Sequence, residues 1–430
     1  MKQIIKLSPG RLIALGFAGV ILIGALLLCL PFAVFEGKQL SFLEALFTST
    51  SAVCVTGLIV VDTGTTFTVF GRTVIAALIQ VGGLGIAILG VAVTLALRRG
   101  ISFKDRSLIK ESWNIDSYGG LSKLLRTVLL MTVGIELLGA VMSLPIFLRT
   151  YPLGKAVGYS LFHAVSSFNN AGFDLFGGFQ SLTAYNTDWA MNLVTAFLII
   201  TGGIGYLVII ELFTRRRFKK FTLQSKVVLV TTALLLALGT VLFKITDGYT
   251  WLEAFFQSVT ARTAGFNTVD LGAMSQAGLF VMVALMIVGA SPGSTGGGTK
   301  TTTLFALFMA AKSATLNTAP EAFKRKLPES VMRRAFIIVL LSLSVLSCST
   351  LLICIFEPQY SFMQILFEVA SALNTVGVTT GITPQFGAAA RIVLILTMYI
   401  GRLGPLTIAT LWVSKPEKAF SYSEESITVG

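Results

Sequence analysis

FTSTSAVCVTGL (residues 47–58), FHAVSSFNNAGF (162–173), FFQSVTARTAGF (255–266) and FEVASALNTVGV (367–378) are four copies of one pattern. Each places a phenylalanine ten positions before a glycine, pairing Phe47 with Gly57, Phe162 with Gly172, Phe255 with Gly265 and Phe367 with Gly377. The copies recur at about one quarter of the chain, as tandem repeats do. A glycine cluster follows each copy: Gly82-Gly83-Leu84-Gly85, Gly202-Gly203-Ile204-Gly205, Gly289 and Gly401-Arg402-Leu403-Gly404. Close helix packing explains one such glycine. Four in register with four phenylalanines call for a shared architecture.

The setting of these copies is a membrane. Of the 430 residues, 54% are hydrophobic and 12% charged, against about 25% charged in an ordinary soluble domain. Apolar runs occupy residues 12–35, 74–97, 124–148, 191–210, 227–243, 280–290, 336–356 and 392–413, most of them near the roughly 20 residues that cross a bilayer core. This gives eight membrane elements, two per quarter. The net charge of +13 gathers in alternate connections: Arg98, Arg99, Lys104, Arg106 and Lys110; then Arg215, Arg216, Arg217, Lys219, Lys220 and Lys226; then Lys312, Lys324, Arg325, Lys326, Arg333 and Arg334. The intervening connections carry Glu36, Asp62, Asp174, Asp188, Asp247, Asp270 and Glu357. Such alternation orients a multi-pass chain in the cytoplasmic (inner) membrane with both termini cytoplasmic, and it argues against a nucleic-acid partner. Lys2, Lys6 and Arg11 precede a run too long for a leader, with no small-residue cleavage site after it, so this run reads as the first span. Cys29, Cys54, Cys348 and Cys354 lack metal or redox spacing and read as packing residues.

The fold expected is all-α: four helix, re-entrant pore loop, helix (M1–P–M2) repeats around a pseudo-four-fold axis. Residues 1–112 form repeat 1, 113–220 repeat 2, 221–328 repeat 3, 329–414 repeat 4 and 415–430 a cytoplasmic tail. The polar copies are too short to span, and irregular backbone at membrane depth survives only when buried or lining a watery cavity. A short helix that dives in and turns out at a glycine meets that condition. Glycine tolerates positive φ, so carbonyls can converge on the axis and replace an ion's hydration shell. The residues expected there are Val55, Thr56 and Gly57; Asn170, Ala171 and Gly172; Thr263, Ala264 and Gly265; and Thr375, Val376 and Gly377. No carboxylate lies among them, which favours a large monovalent cation over a divalent one. Arg262 either braces these carbonyls, against Glu368 or Asp270, or caps its helix.

In repeat 3 the run SPGSTGGGTKTTT (291–303) must break the second helix, because Pro292 lacks a donor and Gly293, Gly296, Gly297 and Gly298 each disfavour helix by about 1 kcal/mol. It reads as an intramembrane gate comprising Ser291, Pro292, Gly293, Gly296, Gly297, Gly298 and Lys300, with Arg402 of repeat 4 holding it; a passive kink is the alternative. Thr299 separates Gly298 from Lys300, so a phosphate-binding loop does not fit. No acid, base or metal constellation indicates an enzyme: His163 stands alone, and Glu136 and Glu211 serve either function or helix packing.

These features resemble the superfamily of Trk, Ktr and HKT potassium transporters over essentially the whole chain. TARTAGFNTVD (260–270) and the 291–303 run are similar to the Ktr branch in particular. The resemblance implies potassium uptake, sodium as a possible activator and no organic cofactor. It also implies a homodimer in membrane lipid, a ring of cytosolic nucleotide-binding regulatory subunits beneath it, and a tail with Glu424, Glu425 and Gly430 at dimer contacts. A sodium- or proton-coupled symporter of the same fold is the alternative mechanism.

Overall fold

A computed structural model describes residues 9–85 and 121–411. The first basic cluster, Arg98 to Lys110, and the expected tail 415–430 lie outside the described residues. Within them the same three-helix plan recurs four times. Repeat 1 runs α1 (Pro9–Leu28), α2 (Phe42–Cys54), a single turn α3 (Thr63–Thr66) and α4 (Val69–Leu84). Repeat 2 runs α5 (Leu121–Phe147), α6 (Leu153–Phe168), α7 (Trp189–Ile204) and α8 (Tyr206–Arg215). Repeat 3 runs α9 (Leu223–Asp247), α10 (Trp251–Thr260), α11 (Gln276–Ile287) and α12 (Thr301–Leu316). Repeat 4 runs α13 (Glu329–Phe356), α14 (Phe362–Leu373), α15 (Ala388–Leu403) and α16 (Pro405–Thr410). One small hairpin, β1 (Glu321–Ala322) with β2 (Arg325–Lys326), joins the last two repeats.

The opening helix of each repeat is long and apolar enough to cross a bilayer. Their outward faces carry exposed Leu15, Leu26, Leu137, Leu234 and Leu340, which is stable only against lipid. The short helices α2, α6, α10 and α14 are instead buried in the centre. Three of them begin with reciprocal capping boxes, Ser41 with Glu44, Thr250 with Glu253 and Ser361 with Gln364, which satisfy two helix-end donors apiece.

The second helices correct the sequence reading. Continuous spans were expected over 74–97, 191–210 and 392–413, with a break in repeat 3 alone. In the described residues every second helix stops at its glycine cluster. Gly85, Gly205 and Gly404 have φ of 84°, 94° and 87°, a region L side chains seldom enter, and α7 meets α8 at 97°. The clusters also seat the short helices. A Cβ on Gly82, Gly202 or Gly401 would overlap the carbonyl oxygen of Val53, Phe168 or Leu373, each at the C-terminal end of the short helix in its own repeat.

Gly202→Ala and Gly401→Ala should therefore destabilise the detergent-solubilised protein by about 1–3 kcal/mol, because a backbone carbonyl cannot yield. Gly134→Ala, where a Cβ meets open space, should leave the melting temperature unchanged or raised. Equal melting of all three variants would contradict this packing role.

Candidate functional site

The four short helices end on one axis and close a ring. In each copy the residue two before the glycine is left-handed: Val55, Asn170, Thr263 and Thr375 have φ of 56°, 59°, 74° and 50°. The glycines follow with φ of 96° at Gly57, 68° at Gly172, 84° at Gly265 and 95° at Gly377. A Cβ on Gly57 would lie 2.5 Å from Ala171 O, one on Gly172 2.9 Å from Ala264 O, and one on Gly265 2.8 Å from Val376 O; one on Gly377 would overlap Thr56 O. The middle carbonyl of each copy thus abuts the glycine of the preceding copy, in cyclic order. All twelve residues singled out by sequence come together here.

The ring is pinned from behind by the short helices. Ser51 Oγ accepts from Gly57 N and Ser371 Oγ from Gly377 N, both at 3.0 Å. Ser166 Oγ donates to Phe173 O at 2.7 Å, and Thr260 Oγ1 donates to Phe266 O. Backbone bonds from Thr56 N to Ser51 O, Ala171 N to Ser166 O and Val376 N to Ser371 O span five residues, whereas Ala264 N reaches Thr260 O over four. Repeat 3 therefore departs from the symmetry, at the position of Arg262. Arg262 is buried and forms no ion pair with Glu368 or Asp270.

On one side the four glycines open into a cavity of about 340 Å³ that also meets Asp174, Asp270 and Thr379. Glu368, wholly buried, shapes that side. Its carboxylate accepts from Thr380 N at 2.7 Å and from the hydroxyls of Thr379 and Thr380 at 2.9 Å, and it also accepts from Thr383. The sequence offers Glu368 as a partner for Arg262, and the structure gives it these threonines instead. The threonine-rich stretch after Gly377 was the available signal for its actual role, because a buried carboxylate needs several donors.

The 291–300 loop occupies the opposite side, touching residues that precede the glycines rather than those that follow them. Gly297 N donates to Thr375 Oγ1 at 2.9 Å, and a Cβ on Gly296 would overlap Thr263 Oγ1. Ser291 N donates to Gly203 O at 3.0 Å and Tyr206 N to Gly293 O at 2.9 Å, tying the loop to repeat 2. Lys300 Nζ donates to Gly296 O at 2.7 Å and Gly297 O at 3.2 Å. The Arg402 guanidinium donates to Thr295 O in the loop and to Gly82 O in repeat 1. Loop carbonyls, with Gly82 O at the end of α4, supply the acceptors, so two cations sit without a carboxylate.

The remaining polar candidates lie elsewhere among the helices. His163 Nε2 is 2.9 Å from Thr195 Oγ1 inside repeat 2. Glu136 accepts from Asn169 Nδ2 at 2.9 Å, at the end of α6. Glu211 accepts from Thr222 N at 3.1 Å and pairs with Arg215 at 2.7 Å, closing the turn into α9. Among the described residues, no group of three or more His, Cys, Asp or Glu side chains could hold a metal ion.

A family model described as "TrkH: Cation transport protein" matches residues 20–244 and 223–423. The chain is 40% identical to the "Potassium/sodium uptake protein NtpJ" of Enterococcus hirae, over 99% of this chain and 98% of that protein. It is 38% identical to the "Ktr system potassium uptake protein B" of Bacillus subtilis, with the same coverage. The crystal structure of the potassium transporter TrkH from Vibrio parahaemolyticus superposes with a TM-score of 0.75 at 20% identity, over 96% of this chain and 86% of that one, a likeness of fold.

Ser371→Ala leaves the Gly377 amide buried without an acceptor, at a cost of about 1–3 kcal/mol. Hydrogen exchange across 371–381 should quicken in this variant and stay unchanged in Ser349→Ala, whose hydroxyl meets Thr397 elsewhere. Unaltered exchange in Ser371→Ala would show that the serine does not hold the ring.

Proposed function

From the premise that this chain belongs to the TrkH family of cation transport proteins, as the membrane subunit of a Ktr-type transporter, we propose that it carries potassium through the ring of Thr56, Ala171, Ala264 and Val376 carbonyls. It is a transporter and not an enzyme. The observation that supports this most is the cyclic contact of each middle carbonyl with the neighbouring copy's glycine. Uncharged backbone oxygens on a four-fold axis substitute for hydration water around a large monovalent ion. The names of the relatives from Enterococcus hirae and Bacillus subtilis, both potassium uptake proteins, point the same way. The former also names sodium, which keeps a sodium-coupled or sodium-activated mode as the second reading; potassium flux in sodium-free proteoliposomes separates the two.

The 291–300 loop is the gate and Arg402 its latch, since one guanidinium bridges the loop and repeat 1. The acidic vestibule side faces outward and the basic connections Arg215 to Lys226 and Lys312 to Arg334 face the cytoplasm. They form the surface for a cytosolic nucleotide-binding regulatory subunit, in keeping with the word "system" in the Bacillus subtilis relative's name. The working unit is a dimer of this chain.

Serine at Gly57, Gly172, Gly265 or Gly377 puts a side chain in a left-handed position at a cost of about 1–3 kcal/mol. Each variant should reach the membrane yet show about tenfold weaker apparent potassium affinity and admit sodium. Unchanged affinity and sodium exclusion in all four would end the filter assignment. Arg402→Ala should raise potassium flux severalfold and reduce its dependence on a regulatory subunit. Equal or lower flux at normal membrane abundance would remove the latch.

A further inference from the structure

We propose that a groove between α4 and α6 holds one anionic phospholipid, with an acyl chain along its floor and its headgroup phosphate between Arg72 and Lys155. The groove encloses about 590 Å³ on the perimeter of the molecule, between repeats 1 and 2. Ala76, Leu161, Phe162 and Val165 line it, and Gly154 and Gly158 leave its wall open, because a Cβ on either meets nothing within 4 Å. From Lys155 to Val165 the α6 axis advances about 15 Å. That is one leaflet of a hydrocarbon core roughly 30 Å thick.

The rim singles out the headgroup's charge. Of the other short helices two carry Glu44 or Glu253 at their third position, where an acidic group complements the helix dipole, and the last carries the neutral Gln364. The third position of α6 is Lys155, and no capping side chain precedes it. A cation there opposes the positive end of the helix, a cost that a bound anion reverses. Lys155 Nζ lies 4.8 Å from the Tyr151 ring centre and 5.3 Å from that of Tyr159, and tyrosines mark the headgroup level of a membrane. Arg72, in the first turn of α4, donates through Nη2 to Gly64 O at 2.5 Å while its Nε is buried without a partner. Neither cation joins any of the three ion pairs among the described residues. Two cations that meet only aromatic rings and a carbonyl, and no carboxylate, complement over a leaflet-deep apolar groove a phosphate ester carrying fatty-acyl chains. A soluble anion would leave the groove empty.

The site is independent of the ring assignment, so its test does not read transport. The full-length chain is reconstituted in nanodiscs of equal phosphatidylglycerol and phosphatidylcholine, and its retained lipids are counted by native mass spectrometry. The wild type should hold phosphatidylglycerol in preference, and Arg72→Gln and Lys155→Gln should each weaken that retention by about fivefold. Gly158→Trp, which fills the groove and spares both cations, should lose the same lipid. Equal retention in all variants, or equal retention of the two lipids by the wild type, would overturn the proposal. So would a shift of Gly158→Trp from dimer to monomer with lipid retention intact, which would assign the groove to a second copy of the chain.

Discussion

Backbone that is not helical can exist at membrane depth only where it is buried in protein or lines a watery cavity, and this constraint governs the molecule. The ring demands twelve residues of such backbone. Ser51, Ser166, Thr260 and Ser371 bond its amides and carbonyls from behind. The glycine clusters let the second helices approach until they touch the carbonyls of Val53, Phe168 and Leu373. Long outer helices with lipid-facing leucines then isolate the whole from the bilayer. Each layer exists because the one inside it cannot satisfy itself.

The same constraint explains the second, broken layer. Ending the second helices at glycine clusters leaves backbone to be satisfied on the far side of the ring: Ser291 N donates to Gly203 O and Arg402 to Gly82 O at helix ends, while Tyr206 N, Lys300 and Arg402 answer the loop carbonyls of Gly293, Gly296 and Thr295. The loop of repeat 3 is held by repeats 2 and 4 directly, and Arg402 links it to repeat 1 through Gly82 O. A loop fixed by a few hydrogen bonds over an ion path can be displaced at modest cost, since each bond contributes on the order of 1 kcal/mol net. In the proposed reading this is what lets a regulator move the loop.

Much of this was legible in the residues. Four phenylalanine–glycine pairs gave the repeat, and the twelve residues around the glycines do meet on one axis. Pro292 with four nearby glycines marked the break in repeat 3, since proline and glycine lack the means to sustain a helix. The breaks at Gly85, Gly205 and Gly404 were missed because each sits in an apolar run, and hydropathy does not register a positive φ. The partners of Glu368 were missed because they lie eleven to fifteen residues away across the ring turn. The lysine in α6 became informative only once the four short helices could be aligned by their first turns.

In the proposed function four backbone carbonyls hold a dehydrated potassium ion. Crystals soaked in rubidium, a potassium mimic with a strong anomalous signal, test it without recourse to transport. An anomalous peak is expected on the axis, within coordination distance of the Thr56, Ala171, Ala264 and Val376 oxygens. A peak only at the Asp174 and Asp270 carboxylates, with none inside the ring, would contradict it.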